Sequence, residues 1–162
     1  MMLLLLVRHA DAGDRDPVRW PDDSLRPLTD KGRKVHAKVA KALRDTGIIP
    51  ELVLTSPWLR AAQTAEVMAQ ALGLASPVPC PALAADPDLQ ALDAVVGERK
   101  AKAVVALVGH SPWIEELAAM LLTGTAKGMA VDFPKSGVLG VELDRVSARA
   151  GVLRFFLRPK ML

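Results

Sequence analysis

Residues Leu3 to Asp11 read L-L-L-L-V-R-H-A-D and decide the fold of this 162-residue chain. Five consecutive apolar residues, Leu3 to Val7, are followed by Arg8 and His9 with no turn residue between them. Continuous rather than alternating hydrophobicity is typical of a parallel strand that is covered on both faces. In open α/β sheets, ligands bind beyond the carboxyl ends of such strands. The stretch therefore predicts a buried central strand with a cation and an imidazole at the edge where chemistry takes place.

Length and composition limit the class of protein. A chain of this length can bury a core of its own, so we expect one domain over residues 1–162. The content of 51% hydrophobic and 24% charged residues is globular, and 4% aromatic residues argue against a nucleic-acid surface of stacked rings. A single cysteine, Cys80, forms no internal disulfide and favours a reducing, cytoplasmic location. The apolar start is too short for a membrane span and lacks the flanks of a signal peptide.

Two further apolar strands are each followed by polar residues. Glu51 to Thr55 precedes Ser56-Pro57, and Ala103 to Val108 precedes Gly109-His110-Ser111-Pro112. In both places we expect the serine to cap a helix whose first residue is the proline. The first of these helices would carry Arg60 about one turn inside its start, close to the carboxyl end of its strand.

The remaining segments predict a loop, a helix and a hairpin. Residues 11–28 have no helical or strand period and form a long loop, which is typical of a lid over a site. Thr29 is expected to cap the next helix, whose outer face carries Lys34, Lys38 and Lys41. A solvated face is the plainer interpretation of these lysines, and a surface for an acidic partner protein is the alternative. Alternation in residues 137–143 and 152–157 predicts a closing antiparallel hairpin.

The strand ends bring Arg8, His9, Arg60 and His110 to one edge of the sheet. Arginine forks, imidazoles and free amide groups at helix N-termini all bind oxyanions, and phosphate is the expected ligand. A neutral imidazole can attack phosphorus and form a phosphoramidate that water later cleaves. Neighbouring arginines disfavour the imidazolium, so we expect His9 to be the nucleophile. His110 would stabilise the charged phosphoryl oxygens together with the two arginines.

A metal site is the alternative for the same residues, because His9, Asp11 and His110 could ligate a divalent ion. The two arginines argue against it. Repulsion between a divalent ion and a neighbouring guanidinium reaches several kcal/mol per pair at about 4 Å with an effective dielectric near 20. Taken singly, an Arg-His or a Gly-His after a strand is as often structural as functional. His36, which lies among lysines and away from any strand end, is interpreted as structural.

Several stretches resemble the histidine phosphatase superfamily, whose hallmark is an Arg-His-Gly sequence closing the first strand. The likeness is greatest to its small phosphohistidine phosphatases of the SixA type. The matching stretches are L-V-R-H-A-D-A (6–12), R-P-L-T-D-K-G (26–32), L-T-S-P-W-L-R-A-A-Q-T-A (54–65), V-G-H-S-P (108–112) and L-R-P-K (157–160). The third stretch is highly specific, whereas Gly-His alone is a weak signal.

The resemblance implies a role for each of Arg8, His9, Arg60 and His110. His9 would be the phosphorylated nucleophile, Arg8 and Arg60 would clamp the phosphate, and His110 would be the second pocket histidine. Further substrate-binding residues are expected at Arg26, Ser56 and Ser111. The family also implies a three-layer α/β/α sandwich of the phosphoglycerate-mutase-like kind, with a mostly parallel sheet, and no metal cofactor.

Two departures from the family pattern bear on the substrate. Ala10 replaces the glycine of the hallmark. Larger members carry a Glu or Asp that protonates the leaving oxygen, and the candidates here, Asp86 and Asp88, are more simply explained by turn formation and helix capping. Without an acid, alkoxide leaving groups depart slowly, whereas a protonated imidazole departs readily. This favours phosphohistidine in a protein as the substrate.

Other functions stay open at this point. A phosphomonoesterase or a hydrolase of pyrophosphate or short polyphosphate would use the same pocket. A non-catalytic phosphate-binding regulatory module would use it without turnover. The expected partner is a phosphorylated protein or a small phosphorylated substrate, with no nucleic acid and no membrane, and the expected oligomeric state is a monomer.

Overall fold

Strands and helices alternate along the first three quarters of the chain, and a hairpin follows them. The computed structural model describes residues 1–97 and 101–162. The strands are β1 (Met2–Arg8), β2 (Leu52–Thr55), β3 (Val78–Pro79), β4 (Val104–Gly109), β5 (Val138–Leu143) and β6 (Val152–Leu157). The helices are α1 (Asp30–Asp45), α2 (Leu59–Leu72), α3 (Leu89–Val96) and α4 (Trp113–Thr123). None of the helices in the described residues is both long enough and apolar enough to cross a membrane.

The strands form one mixed sheet in the order β3-β2-β4-β1-β5-β6. Neighbours are parallel from β3 to β1, and the β5-β6 hairpin adds two antiparallel pairings at the other side. The predicted hairpin and the central position of β1 are therefore confirmed. One detail differs from expectation, because β1 is parallel to β4 but antiparallel to β5, the strand that begins the hairpin.

Both faces of the sheet are covered, which explains the continuous apolar run of β1. Leu5 and Val7 pack into a cluster with α1 and α2, whereas Leu4 and Leu6 pack on the opposite face with α3 and α4. All four side chains are fully buried. Burial of such a side chain stabilises the fold by about 1.5–3 kcal/mol, so the run anchors the sheet from both sides. The expected three-layer α/β/α fold is confirmed.

The residues at which the helices begin agree only in part with the sequence predictions. Thr29 caps α1 as predicted, since its hydroxyl accepts the backbone N–H of Gly32 at 3.0 Å. Neither predicted serine cap forms, and both predictions are wrong: α2 begins at Leu59 and α4 at Trp113, each without a side-chain cap. Arg60 is consequently the second residue of α2 rather than one turn inside it.

The two serines that do not cap a helix form other hydrogen bonds. Ser56 Oγ accepts the backbone N–H of Trp58 at 3.2 Å and lies 2.7 Å from His110 Nε2. Ser111 Oγ donates instead to Glu115 Oε1 at 2.6 Å. The repeated Ser-Pro-Trp sequence therefore has two different local structures.

Candidate active site

Strand register places the imidazoles of His9 and His110 side by side at the carboxyl end of the sheet. Arg8 of β1 is paired with Gly109 of β4, so the residues that follow them, His9 and His110, leave the sheet together. The backbone N–H of His9 donates to the Gly109 carbonyl at 3.0 Å. The two ring centroids are 5.3 Å apart, and both residues are buried.

The hydrogen bond of His9 fixes its tautomer. Nδ1 lies 2.7 Å from the carbonyl oxygen of Ala10. Because a carbonyl only accepts, Nδ1 carries the hydrogen and Nε2 carries the lone pair. Burial lowers the pKa of His9 to about 3, and the charges of Arg60 and Arg8 act in the same direction against the opposing Ala10 bond. At neutral pH the ring is therefore an uncharged base with its lone pair on Nε2.

The second imidazole is enclosed by tryptophans. The His110 ring centroid lies 4.7 Å from that of Trp58 and 5.9 Å from that of Trp113. Its Nε2 is bonded to Ser56, whereas its buried Nδ1 has no protein partner. Burial lowers the pKa of His110 to about 4, with the charge of Arg60 as the next cause.

Two guanidinium groups, those of Arg8 and Arg60, complete this cluster, and the Nε atom of each has no protein partner. Arg60 is nearly buried and donates from Nη1 to the Asp23 carbonyl at 2.8 Å, while Nη2 lies 3.2 Å from Asp23 Oδ2. Arg8 donates from Nη1 to the Phe133 carbonyl at 2.7 Å. The buried Nε of both arginines has no partner in the protein. The printed contacts of both side chains are thus made by their terminal nitrogens, and the hydrogen-bonding capacity of each Nε is unused by the protein.

Buried donors without partners are costly, by about 1–3 kcal/mol each. Three of the buried polar atoms without a protein partner belong to this site: Arg8 Nε, Arg60 Nε and His110 Nδ1. An oxyanion offers several acceptor oxygens and negative charge to such donors. The arrangement is therefore suited to a phosphoryl group beside the lone pair of His9.

The structure adds Asp23, which the sequence analysis missed. It lies in a short 3-10 turn of the loop over residues 11–28 and bonds both Arg60 and Arg26. Arg26 Nε donates to Asp23 Oδ1 at 2.9 Å, and its Nη1 donates to the carbonyls of Ala12 and Gly13 at 3.2 and 2.6 Å. The Arg26 hydrogen bond and the charge of Arg60 hold the pKa of Asp23 below its usual range. Arg26 is thus connected to Arg60 through the ionised carboxylate of Asp23.

The other expected residues lie in more ordinary surroundings. Asp88 caps α3 by accepting the Ala91 N–H at 3.0 Å, as the plainer interpretation predicted. Asp86 is exposed, in a turn whose neighbours Ala85 and Pro87 line a small crevice together with His110. Ser111 is exposed and bonded to Glu115, so its substrate-binding role stays a prediction.

His36 and Asp11 lie next to the site and are bonded to residues around it. His36 is fully buried, with Nδ1 3.1 Å from Ser136 Oγ. The backbone N–H of Ser136 in turn donates to the carbonyls of Arg8 and His9 at 3.1 and 3.2 Å. Asp11, part of the alternative metal set, is bonded to Lys135 and Thr29 instead. Among the residues that the structure describes, no group of three or more His, Cys, Asp and Glu could hold a metal ion.

Comparison with known proteins identifies the relatives of this chain. The model of the histidine phosphatase superfamily (branch 1) matches residues 4–84. An uncharacterized protein of Picosynechococcus sp. is 37% identical and covers 99% of both chains. The phosphohistidine phosphatase SixA of Escherichia coli is 32% identical, over 88% of this chain and 86% of its own.

Solved structures agree with the sequence comparison. The structure of the protein histidine phosphatase SixA complexed with tungstate has a TM-score of 0.83 and 29% identity, with 99% of each chain covered. A mutant phosphoserine phosphatase of Entamoeba histolytica has a TM-score of 0.73 and 16% identity, with full coverage of both chains, and shows the shared fold alone. The expected likeness to SixA-type proteins and the expected class of enzyme, a phosphatase, are confirmed. By sequence and by fold, the chain belongs to the histidine phosphatase superfamily, branch 1.

Proposed function

We propose that this phosphatase hydrolyses phosphohistidine in a protein substrate by transferring the phosphoryl group to His9. One observation carries the proposal: the Nδ1–H bond to the Ala10 carbonyl leaves an uncharged lone pair on His9 Nε2, within a cluster of unpartnered donors. A nucleophile needs a free lone pair, and the transferred group needs stabilisation of its equatorial oxygens.

In the first step the lone pair of His9 Nε2 forms a bond to phosphorus. The phosphorus–nitrogen bond of the substrate breaks, and its electron pair goes to the leaving imidazole, which takes up a proton from solvent. Arg8 Nε and Arg60 Nε donate to the phosphoryl oxygens. We assign the hydrogen of His110 to Nδ1, because Ser56 Oγ already accepts from Trp58 and can donate its own hydrogen to Nε2. His110 Nδ1 then donates to the same oxygens.

In the second step water attacks the phosphorus of phospho-His9. The bond to Nε2 breaks, its electron pair returns to the ring, and inorganic phosphate leaves with the same donors around it. Dividing the hydrolysis into two displacements lowers the barrier of each. The Ala10 carbonyl keeps the ring in one orientation throughout, since its bond to Nδ1–H does not involve the reacting nitrogen.

The charge state of the carboxylates supports an imidazole leaving group. Asp23 lies against Arg60, but its lowered pKa keeps it ionised and unable to donate a proton at neutral pH. Asp88 is engaged in capping α3. An imidazole is protonated by solvent near neutral pH, so phosphohistidine requires no buried acid. Identity of 32% to SixA of Escherichia coli supports the same substrate class.

A panel of three substrates tests the proposal. A phosphohistidine peptide, p-nitrophenyl phosphate and pyrophosphate are compared on the wild type and on His9→Ala, whose folding is checked by its thermal transition. We expect the peptide to be turned over fastest and His9→Ala to lose on the order of a thousandfold or more in turnover. Rapid quenching should trap an acid-labile phosphoryl group on the wild type alone.

The alternatives give different results in the same assay. A phosphomonoesterase would turn over unactivated esters faster than the peptide, and exposed Asp86 would then be the acid to examine. A pyrophosphate hydrolase would prefer pyrophosphate. A phosphate-binding module would bind the peptide but yield neither turnover nor covalent phosphate. Each of these results would contradict phosphohistidine hydrolysis.

A further inference from the structure

A cleft of about 510 Å³ adjoins the active site and is lined by charged groups that the catalytic steps do not use. Its cations are Lys31, Lys135, Arg158 and Lys160, and its carboxylates are Asp11 and Asp132. We call this feature the basic cleft. It lies next to the backbone of the nucleophile, because Ser136 lines the cleft and its backbone N–H donates to the His9 carbonyl at 3.2 Å.

Half of the cations in the basic cleft are neutralised within the protein. Lys135 Nζ lies 2.9 Å from Asp11 Oδ1, and Arg158 Nη2 lies 3.0 Å from Asp132 Oδ2. Lys31 and Lys160 are exposed and form no ion pair with the residues that the structure describes. Four cations against two carboxylates leave a net charge of +2 at the cleft.

The positive charge continues beyond the cleft along α1. Lys31 lies in the first turn of this helix, and Lys34, Lys38 and Lys41 follow it at the i+3, i+7 and i+10 positions. These spacings place all four on one helical face, over about 15 Å of helix length. All four are exposed. Because Lys31 belongs to both, this helical face and the basic cleft form one continuous positive surface.

We propose that this surface binds an acidic polypeptide segment next to the phosphohistidine of the substrate protein. The inference rests on the proposed function for the phosphohistidine, but the surface itself is defined by the lysines alone. Spread over a helix face and a cleft, the ammonium groups match a row of Asp and Glu side chains rather than one compact anion. None of the described residues that line the cleft is aromatic, which argues against stacked nucleobases.

Complementary charges of this exposed kind act on encounter and on apparent affinity more than on the chemical step. A single exposed pair has a small effect, so several together change kcat/KM by roughly tenfold. Screening lengths fall from about 10 Å at 0.1 M salt to about 3 Å at 1 M salt. A preference for acidic segments should therefore fade as salt is added.

The kinetic test compares two phosphohistidine peptides that differ only in their flanks, one rich in Glu and one uncharged. For the wild type at 0.1 M salt we expect roughly tenfold higher kcat/KM with the acidic peptide, through KM rather than kcat. Lys31→Glu replaces an attraction with a repulsion where the helix face meets the cleft, and should reduce this preference several-fold. Lys127→Glu is the matched control, because it changes net charge equally beside Glu116 of α4 and should retain the preference.

A binding measurement keeps the inference separate from catalysis. A fluorescein-labelled, unphosphorylated Glu-rich peptide is titrated with wild type, Lys31→Glu and Lys127→Glu, and its anisotropy is followed. Binding that is weakened several-fold by Lys31→Glu alone supports the surface even if the protein hydrolyses only esters. Equal binding by all three proteins, or a preference for Lys-rich or uncharged peptides, would overturn the inference. Wild type that ignores every phosphohistidine substrate would overturn the proposed function instead.

Discussion

Replacement of Asp23 by asparagine tests how the active-site arginines are held. Asp23 bonds Arg60 through Oδ2 and through its carbonyl, and it bonds Arg26 through Oδ1. Asparagine keeps the size of the side chain and one acceptor oxygen but removes the negative charge. Arg60 would keep the carbonyl bond and lose its ionic partner.

The size of the effect follows from burial. The Arg60 side chain is 7% exposed and that of Asp23 is 24% exposed, so the pair lies between a surface and a buried salt bridge. Surface pairs contribute about 0–1 kcal/mol, and breaking a buried pair costs about 3–5 kcal/mol. Since the carbonyl bond persists, we expect about 1–2 kcal/mol, which corresponds to a loss of about 5- to 30-fold in kcat.

Turnover of a phosphohistidine peptide and competitive inhibition by inorganic phosphate are the two measurements. A mispositioned Arg60 should lower kcat, whereas removal of a negative charge should leave phosphate binding unchanged or strengthen it. Asp22→Asn is the matched control, because Asp22 lies next to Asp23 and, among the residues that the structure describes, its side chain bonds only Ser24. Unchanged or increased kcat in Asp23→Asn would show that the carboxylate competes with substrate for Arg60, and would refute the positioning role.

Three other results are expected. Arg60→Ala should lower turnover about a hundredfold or more in steady-state assays, because it removes a donor to the transferring group; a change in KM alone would demote Arg60 to a docking residue. Gly32→Ala places a Cβ 2.2 Å from the Asp11 carbonyl oxygen and should lower the free energy of unfolding in urea by about 1–3 kcal/mol; an unchanged midpoint would contradict this close approach. His9 and His110, with pKa values of about 3 and 4, should stay neutral in NMR titrations from pH 8 to pH 5, and a midpoint near 6.5 would contradict their burial. Because both pKa values are depressed on folding, their contribution to stability is complete above about pH 6.5 and falls below it, by about 1.4 kcal/mol per pH unit for each ring.

Sequence patterns sufficed for the parts of the site that sit directly on strand ends. A fully buried strand has a distinctive apolar run, and the residue after it must emerge at the sheet edge. Arg8, His9 and His110 follow such runs, so their meeting could be predicted before the register of β1 and β4 was known. Arg60 lies near this edge as expected, although its helix begins two residues later than the sequence indicated.

Tertiary contacts decided what local patterns could not. Ser56 and Ser111 both precede proline and both match a helix cap, but their hydroxyls bond His110 and Glu115 instead. Asp23 could be placed only after the path of an 18-residue loop was known, since its partner Arg60 lies 37 positions away. The only local hint was its i,i+3 spacing to Arg26.

The order of the strands along the chain also decides when the active site can form during synthesis on the ribosome. The strand that ends just before His9 precedes both of its sheet neighbours, residues 104–109 and 138–143, along the chain. Pairing over such separations is slow, because the intervening chain must first be brought together. A nascent chain that has emerged only as far as residue 97 already contains His9 and Arg60 but has neither flanking strand. The nucleophile therefore stays without its flanking strands until residues 104–143 have been synthesised.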